Sequence, residues 1–323
     1  RLAIQPQDVI DAMGRGEIDF FFCMGGNFLS ATPDTDVTAR GLSNIPLTVQ
    51  VSTKLNRSHL VTGETAIILP CLGRTEVDVQ GGVKQFVTVE NSMGVVHRSQ
   101  GGLQPASPSL RSEPWIVAEL AESTLGVEHL PWRELGQDYS KVRDLMERSL
   151  FGFDRYNERV NAPNGFELPN PPRDSQSFST PDGKAHFTVH DLPNLDVDDD
   201  QYVMMTLRSH DQYNTTIYGL SDRYRGVKGN RRVVFMNATD MVSRGWKART
   251  KVRITSHFEG ETRHSEHWLI VPYDIPSGNI ATYFPEANSL VPLHSTAEQS
   301  NTPTSKWIVC SMDSSETIHG EEE

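Results

Sequence analysis

Residues 18–27, with the sequence IDFFFCMGGN, decide the predicted fold of the first third of the chain. A short apolar run that ends at two glycines predicts a buried strand, and a helical pattern follows over residues 35–42. A strand followed by a polar turn and a helix is the βα arrangement of an open parallel sheet. Ligands bind at the carboxyl ends of such strands, so Gly25, Gly26 and Asn27 are predicted to lie at a binding edge. The alternative is a tight turn that simply needs small residues.

Further helices and strands are predicted on both sides of this stretch. A helix is predicted over 6–15, and two further strands over 47–51 and 66–70, while residues 112–151 read as amphipathic helices. Beyond a Pro- and Asn-rich stretch at 161–179, several short strands and one helix predict a barrel or compact β domain. The predicted strands are 202–207, 232–236, 251–256, 264–271 and 306–311, and the helix is 238–244.

Composition narrows the class of protein. The chain has 323 residues and a formal net charge of −12, which makes binding to nucleic acid or to an anionic membrane surface a poor prospect. No apolar run is long enough to predict a membrane span. Three widely spaced cysteines are typical of a reducing compartment, so a cytoplasmic location is expected. The chain starts at Arg1 without a signal peptide, which suggests that it is cut from something longer.

Two polar stretches in the C-terminal half are candidates for ligand binding. Residues 207–216 follow a predicted strand and are almost all hydrogen-bonding side chains, which need partners or water when they are buried. Arg208 can bind a phosphate with two hydrogen bonds, and the side chains after it suit a heterocycle. Residues 283–292 contain Asn288, which can read a ring edge. An exposed loop of mixed polarity is the alternative for both stretches.

Several motifs together resemble one family. They are 66–70 (AIILP), 180–187 (TPDGKAHF), 236–246 (MNATDMVSRGW), 252–256 (VRITS) and the segment 302–306 that ends at a lysine. In this order, the motifs and polar loops resemble the C-terminal part of the molybdopterin oxidoreductases, the dimethyl sulfoxide reductase superfamily. The likeness is greatest to the formate-dehydrogenase-like group of oxidoreductase alpha (molybdopterin) subunits, and it spans nearly the whole chain.

The resemblance implies a fold, a cofactor and a set of contacts. It implies half of an α/β molybdopterin-binding domain over 1–110, a helical segment and linker over 111–195, and a double-psi β-barrel dinucleotide-binding domain over 196–318. The implied cofactor is bis(molybdopterin guanine dinucleotide) with molybdenum or tungsten. The cofactor-binding residues carried over are Gly25, Gly26, Asn27, Gln50, Val51, Ser52, Arg208, Ser209, His210, Gln212, Tyr213, Asn214, Asn288 and Lys306.

The same resemblance implies what lies elsewhere. The family keeps its iron–sulfur ligands and its metal-ligating side chain in an N-terminal part, so the remainder of the polypeptide and an electron-transfer partner are expected partners. No catalytic residue and no metal ligand is predicted in this chain, and the fragment alone is expected to be inactive. Cys71 is interpreted as a structural thiol, with metal ligation as the alternative.

Other candidate chemistry has ordinary interpretations. His264 and His267 are predicted to point to opposite faces of one strand and therefore not to share a metal. Glu76 and Asp78 are predicted to be solvated, and the pair Arg231–Arg232 to face water. Two other functions stay open: a non-catalytic nucleotide-binding module, and a structural subunit without metal.

Overall fold

A computed structural model describes residues 5–191, 197–215, 217–298 and 300–314 of the chain. The chain divides into two compact units. The first contains the residues up to 50, residues 54–68 and the C-terminal part, and the second contains 51–53 and 69–193. The predicted boundary between residues 195 and 196 and the tail 319–323 lie outside the described residues. The predicted division into domains stays a prediction.

The N-terminal part of the first unit is an α/β layer. Its three strands form a sheet of order β1-β2-β3, flanked by three helices, with a 3₁₀ turn at Arg57–Leu60 before the last strand. The elements are α1 (Pro6–Gly14), β1 (Phe20–Met24), α2 (Phe28–Ala31), α3 (Thr35–Ser43), β2 (Leu47–Ser52) and β3 (Thr65–Pro70). Five of these elements match the predicted ones closely, whereas α2 lies in the stretch that was predicted to be a polar turn.

The three strands run in the same direction. The amide of Leu47 donates to the carbonyl oxygen of Asp19 at 3.3 Å, and the amide of Thr65 donates to the carbonyl oxygen of Pro46 at 2.9 Å. The strands therefore begin together at one edge, which confirms the predicted parallel arrangement. The core of this layer is a cluster of four buried side chains from the helices and their flanking residues: Met13, Leu29, Leu42 and Ile45.

The second unit is made of small sheets and helices. Its elements are β4 (Val79–Gln80), β5 (Val83–Lys84), β6 (Val87–Glu90), β7 (Val95–Ser99), α4 (Glu113–Leu125), α5 (Trp132–Gln137), α6 (Tyr139–Ser149), α7 (Tyr156–Arg159), β8 (Phe166–Glu167) and α8 (Pro171–Ser175). The helices predicted over 112–151 are confirmed. The Pro- and Asn-rich stretch 161–179 contains the short elements β8 and α8, and Phe166 of β8 packs into a core with Val96 and Tyr156.

The C-terminal part of the first unit is a closed six-stranded barrel of order β10-β12-β11-β14-β9-β13. Its elements are β9 (Gln201–Leu207), β10 (Val233–Met236), α9 (Ala238–Ser243), β11 (Lys251–Phe258), β12 (Glu261–Pro272), β13 (Asn279–Tyr283) and β14 (Ile308–Ser314), with a 3₁₀ turn at Glu286–Leu290. The barrel prediction is confirmed. Sequence reasoning missed β13, which pairs parallel to β9 and closes the barrel.

A bulge in β12 corrects one prediction. Val252 pairs with Trp268 while Ile254 pairs with Ser265, so three steps on β12 oppose two on β11. Residues three apart therefore share a face here, and both Ser265 and Trp268 are buried. The prediction that His264 and His267 point to opposite faces was therefore wrong, because it assumed a regular strand and His267 has a φ of +65° at the bulge. Both histidines are exposed.

No helix within the described residues is long and apolar enough to cross a membrane.

Candidate functional site

The turn after β1 is shaped by one glycine more than by the other. Gly25 has a φ of +69°, which side chains disfavour, whereas Gly26 has no such φ. A Cβ built on Gly26 would meet the sulfur of Cys23 at 3.7 Å, an ordinary contact. The carbonyl oxygen of Gly26 accepts a hydrogen bond from the side-chain amide of Asn56 at 3.0 Å. The turn is thus held against the 3₁₀ turn that follows β2.

Ser58 organises the predicted binding edge, and sequence reasoning missed it. Its hydroxyl accepts from the amide of Leu29 at 2.9 Å and donates to the side-chain oxygen of Asn27 at 3.0 Å. Its carbonyl oxygen accepts from the side chain of Gln50 at 3.0 Å. Asn27, Gln50 and Ser58 are all buried. The polar side chains predicted to meet a nucleotide are therefore partnered within the protein. The local signal was Asn56 two residues before Ser58, an N-cap pattern.

Val51 and Ser52, at the end of β2, are both buried. Val51 can offer a ligand only its backbone groups and the apolar surface of its side chain. Their predicted contact with a nucleotide stays a prediction.

The polar loop 208–214 follows β9 and is folded on itself. The side-chain oxygen of Gln212 accepts from the amide of Ser209 at 2.9 Å, and its side-chain nitrogen donates to the carbonyl oxygens of Asn214 at 2.9 Å and Phe284 at 2.7 Å. Asp211 and Asn214 have φ values of +58° and +48°. Both residue types tolerate this left-handed conformation better than most, which lets the loop turn twice within four residues.

Arg231 lies outside this loop in the sequence but is bound at its centre, and the prediction that it faces water was wrong. Its side chain is only 4% exposed, and its guanidinium binds Glu286 through two hydrogen bonds of 2.7 and 3.1 Å. The same group donates to the hydroxyl of Ser209 at 2.6 Å and to the side chain of Gln212 at 3.0 Å. Because a buried guanidinium needs all its donors satisfied, it fixes the loop in place. Arg232, its neighbour, is exposed as predicted.

His210 and Tyr213 have different surroundings within the loop. The His210 ring packs against Tyr224 at a tilt of 54° with the ring centres 4.2 Å apart, and its Nε2 atom lies 2.9 Å from a carboxylate oxygen of Asp211. Tyr213 is 65% exposed. The loop therefore presents one aromatic face to solvent and keeps one imidazole packed.

Two predicted cofactor residues meet at the end of β9 as a pair of cations. Lys306 donates to the carbonyl oxygen of Thr206, and Arg208 bonds to the side-chain oxygen of Asn214 at 3.0 Å. Partial burial, and then repulsion by Arg208, lower the pKa of Lys306. Neither cation has a carboxylate partner within the described part of the chain. This arrangement favours a bound anion, because an anion would relieve the repulsion.

Asn288 connects the two regions of the first unit. It is buried, and its side chain donates to the carbonyl oxygen of Ser30 at 2.7 Å. Arg231 links the polar loop 208–214, here called the barrel loop, to the same segment, because it bonds both to this loop and to Phe284 and Glu286. The turn after β1 and the loop after β9 thus share a neighbour. The ligand contacts of Asn288 stay a prediction.

The acids and cysteine of the second unit have structural surroundings. The carboxylate of Glu76 accepts from the amides of Gly73 at 2.6 Å and Ala106 at 2.7 Å, and Asp78 accepts from the hydroxyl of Tyr139. The prediction that this pair of acids is solvated was wrong. Cys71 is buried, and burial raises the pKa of its thiol to about 11. A metal ligand is a thiolate, so these surroundings favour the structural interpretation.

Within the ranges that the structure describes, no group of three or more His, Cys, Asp or Glu side chains is placed to hold a metal ion.

The fold is shared with a solved enzyme. Acetylene hydratase from Pelobacter acetylenicus matches 96% of this chain and 46% of its own chain, with a TM-score of 0.64 and 14% sequence identity. At that identity the likeness concerns the fold alone. No family model matches the sequence.

Curated relatives are much closer in sequence. An uncharacterized oxidoreductase of Mycobacterium bovis is 51% identical over 310 residues, which are 94% of this chain and 40% of the relative. Protein YdeP of Escherichia coli K12 is 39% identical over 313 residues, 95% of this chain and 41% of that protein. The chain therefore spans about two fifths of the length of these relatives, and it is similar to part of a protein named as an oxidoreductase.

Proposed function

We propose that this chain is the cofactor-binding C-terminal part of a molybdenum or tungsten oxidoreductase of the dimethyl sulfoxide reductase superfamily. The proposed cofactor is bis(molybdopterin guanine dinucleotide), and the proposed enzyme is formate-dehydrogenase-like. The observation that carries the proposal is the pair Arg208 and Lys306 at the end of β9, two cations without a carboxylate partner among the described residues. A diphosphate is the ligand that such a pair suits.

The residues of the barrel loop fit this group. Arg208 and Lys306 would hold the phosphates, and exposed Tyr213 offers a flat face to a ring. Ser209 and Gln212 position these side chains through Arg231 and do not themselves need to touch the ligand. On the α/β side, Gly25 leaves backbone groups open to a ligand, while Asn27 and Gln50 support the turn from within.

The division of labour follows from these surroundings. When the cofactor is bound, its metal supplies two-electron oxidation or reduction of the substrate. This chain binds and orients the nucleotide parts. We further propose that the barrel is a double-psi barrel, which its parallel pairs β10–β12 and β13–β9 support. The iron–sulfur cluster and the metal-ligating side chain are proposed to lie in the rest of the polypeptide, with a separate electron-transfer partner and a cytoplasmic location.

The test is the cofactor content of the protein expressed at the length of its curated relatives in a host that makes the cofactor. Molybdenum or tungsten by mass spectrometry, fluorescence of the oxidised pterin and released guanine nucleotide are measured. We expect all three in the wild type and a loss of at least tenfold in Arg208→Gln/Lys306→Gln. Guanine nucleotide without pterin and metal would indicate a non-catalytic module, and none of the three would indicate a structural subunit. Either result contradicts the proposal.

A further inference from the structure

A polar cavity lies within the first unit, between the α/β layer and the barrel of that unit. It has a volume of about 230 Å³ and is lined by side chains that include Ser30, Arg57, Arg232, Glu266 and Glu286. None of the residues that line it is among the predicted cofactor contacts. The cavity is therefore a separate feature of the unit.

The hydroxyl of Ser30 is a buried donor that lacks a partner. Ser30 is 5% exposed, and its Oγ atom makes no hydrogen bond within the described residues. Its carbonyl oxygen is already occupied by the side chain of Asn288. Because an unpaired buried hydroxyl is unfavourable, a polar group that enters the cavity would gain a ready hydrogen bond.

The wall carries two arginines and three acids, but two of the acids are paired with arginines outside the wall. Glu286 is bound by Arg231, and Glu266 by Arg253, so both acids are already neutralised from outside the cavity.

The two arginines of the wall are not neutralised in this way. Within the described residues, Arg57 and Arg232 have no carboxylate partner. Arg232 is nevertheless held in place, since it donates to the carbonyl oxygen of Glu266 at 2.6 Å. Asp36 is the remaining acid of the wall, and it is exposed. Arg57 and Arg232 are exposed as well, and two cations against one unpaired acid favour an anionic ligand.

We infer that this cavity binds a tetrahedral oxyanion, namely phosphate, either as the free ion or as the phosphate group of a nucleotide. Arginine donates pairs of parallel hydrogen bonds to phosphate oxygens, and the Ser30 hydroxyl would supply a further donor from the buried wall. The volume leaves room for the ion and several water molecules. The inference does not depend on the proposed cofactor, because it uses none of the same side chains.

The experiment is calorimetric titration of inorganic phosphate into the chain carrying Arg208→Gln/Lys306→Gln, so that the barrel-loop cations do not contribute. We expect binding of one phosphate, weakened at least tenfold by Arg57→Gln and about tenfold by Ser30→Ala. Lys228→Gln, which removes an exposed charge elsewhere in the unit, is the matched control and should leave the affinity unchanged.

A thermal readout guards against misfolding. Ser30→Ala removes an unpaired buried group, so the variant should be at least as stable as its parent without phosphate and should gain less stability when phosphate is added. Competition by guanosine monophosphate would identify the nucleotide as the source of the ion, and binding of phosphate alone would identify the free ion. Absence of binding in the parent, or binding as tight in the Arg57→Gln and Ser30→Ala variants as in the parent, would overturn the inference.

Discussion

The two polar regions of the first unit contrast in how their side chains are used. Around the turn after β1, Asn27 and Gln50 are bound to Ser58 and buried. In the loop after β9, the buried Arg231 takes up the internal hydrogen bonds and leaves Arg208 and Lys306 without a described carboxylate partner. Both regions read alike in the sequence as polar residues after a strand. Unpaired charge, and not polarity alone, therefore marks the groups that are available to a ligand.

Removing the centre of the barrel loop should have the largest effect. Arg231→Met leaves Glu286 partly buried and uncompensated, so we expect the free energy of unfolding to fall by about 3–5 kcal/mol. Chemical denaturation followed by tryptophan fluorescence measures it. The exposed control Lys228→Met should change the value by about 0.5 kcal/mol or less. A loss under about 1 kcal/mol in Arg231→Met would mean that the loop is held by other contacts.

Removing the centre of the α/β turn should have a smaller effect. Ser58→Ala leaves the amide of Leu29 and the side-chain oxygen of Asn27 without their partner in a buried place, which we expect to cost about 2–3 kcal/mol. The same denaturation experiment applies, with exposed Ser43→Ala as control. Equal stability of Ser58→Ala and the wild type would break the comparison, since the turn would then not depend on its internal partners.

The barrel loop should also respond to acid. Burial alone would raise the pKa of Asp222, but hydrogen bonds from Tyr283, Arg225 and the amide of Tyr224 outweigh it and hold the pKa below its usual value. Arg225 also donates to the carbonyl oxygen of Arg208 at 3.3 Å. A depressed folded-state pKa stabilises the fold above the unfolded-state pKa of about 3.9, and this stability is lost as the pH falls through the folded value.

We therefore expect the free energy of unfolding to fall with pH below about 4 in the wild type and to depend on pH less in Asp222→Asn. Denaturation curves at a series of pH values measure this slope. An identical slope in both proteins would show that Asp222 does not support the loop by its charge.

The smallest effects should come from the two glycines of the turn. Gly25→Ala forces a side chain into a φ of +69° and should cost about 1 kcal/mol, whereas Gly26→Ala meets only an ordinary contact and should cost about 0.5 kcal/mol or less. Thermal unfolding of the two variants side by side sharpens the account of this region. A larger loss for Gly26→Ala would contradict it.

Much of the fold could be predicted because its signals are local. The run before Gly25 predicted β1, and the strand pattern beyond residue 201 predicted five of the six barrel strands. The strand β13 was missed because its few residues between a Gly turn and a Pro read as the approach to a loop. Its place is fixed by pairing with β9, which lies far away in the sequence.

The candidate site was only partly predictable for a similar reason. Arg208 was identified from the polar stretch after a predicted strand and Lys306 through a family resemblance, and the structure places both at the end of β9. Ser58 and Arg231 were missed, because their importance comes from distant partners: the hydroxyl of Ser58 bonds to residues 29 and 31 positions away, and Arg231 bonds to residues up to 55 positions away. A pair of arginines after a Gly-Asn turn gives no local sign that the first is buried and the second exposed.

The central claim is that Arg208 and Lys306 form an anion site. The most direct test is calorimetric titration of inorganic pyrophosphate into the chain, with wild type compared with Arg208→Gln/Lys306→Gln. We expect the wild type to bind pyrophosphate, more weakly as salt rises, and the double variant to lose at least tenfold in affinity. Equal affinity in the two proteins would show that Arg208 and Lys306 do not form an anion site.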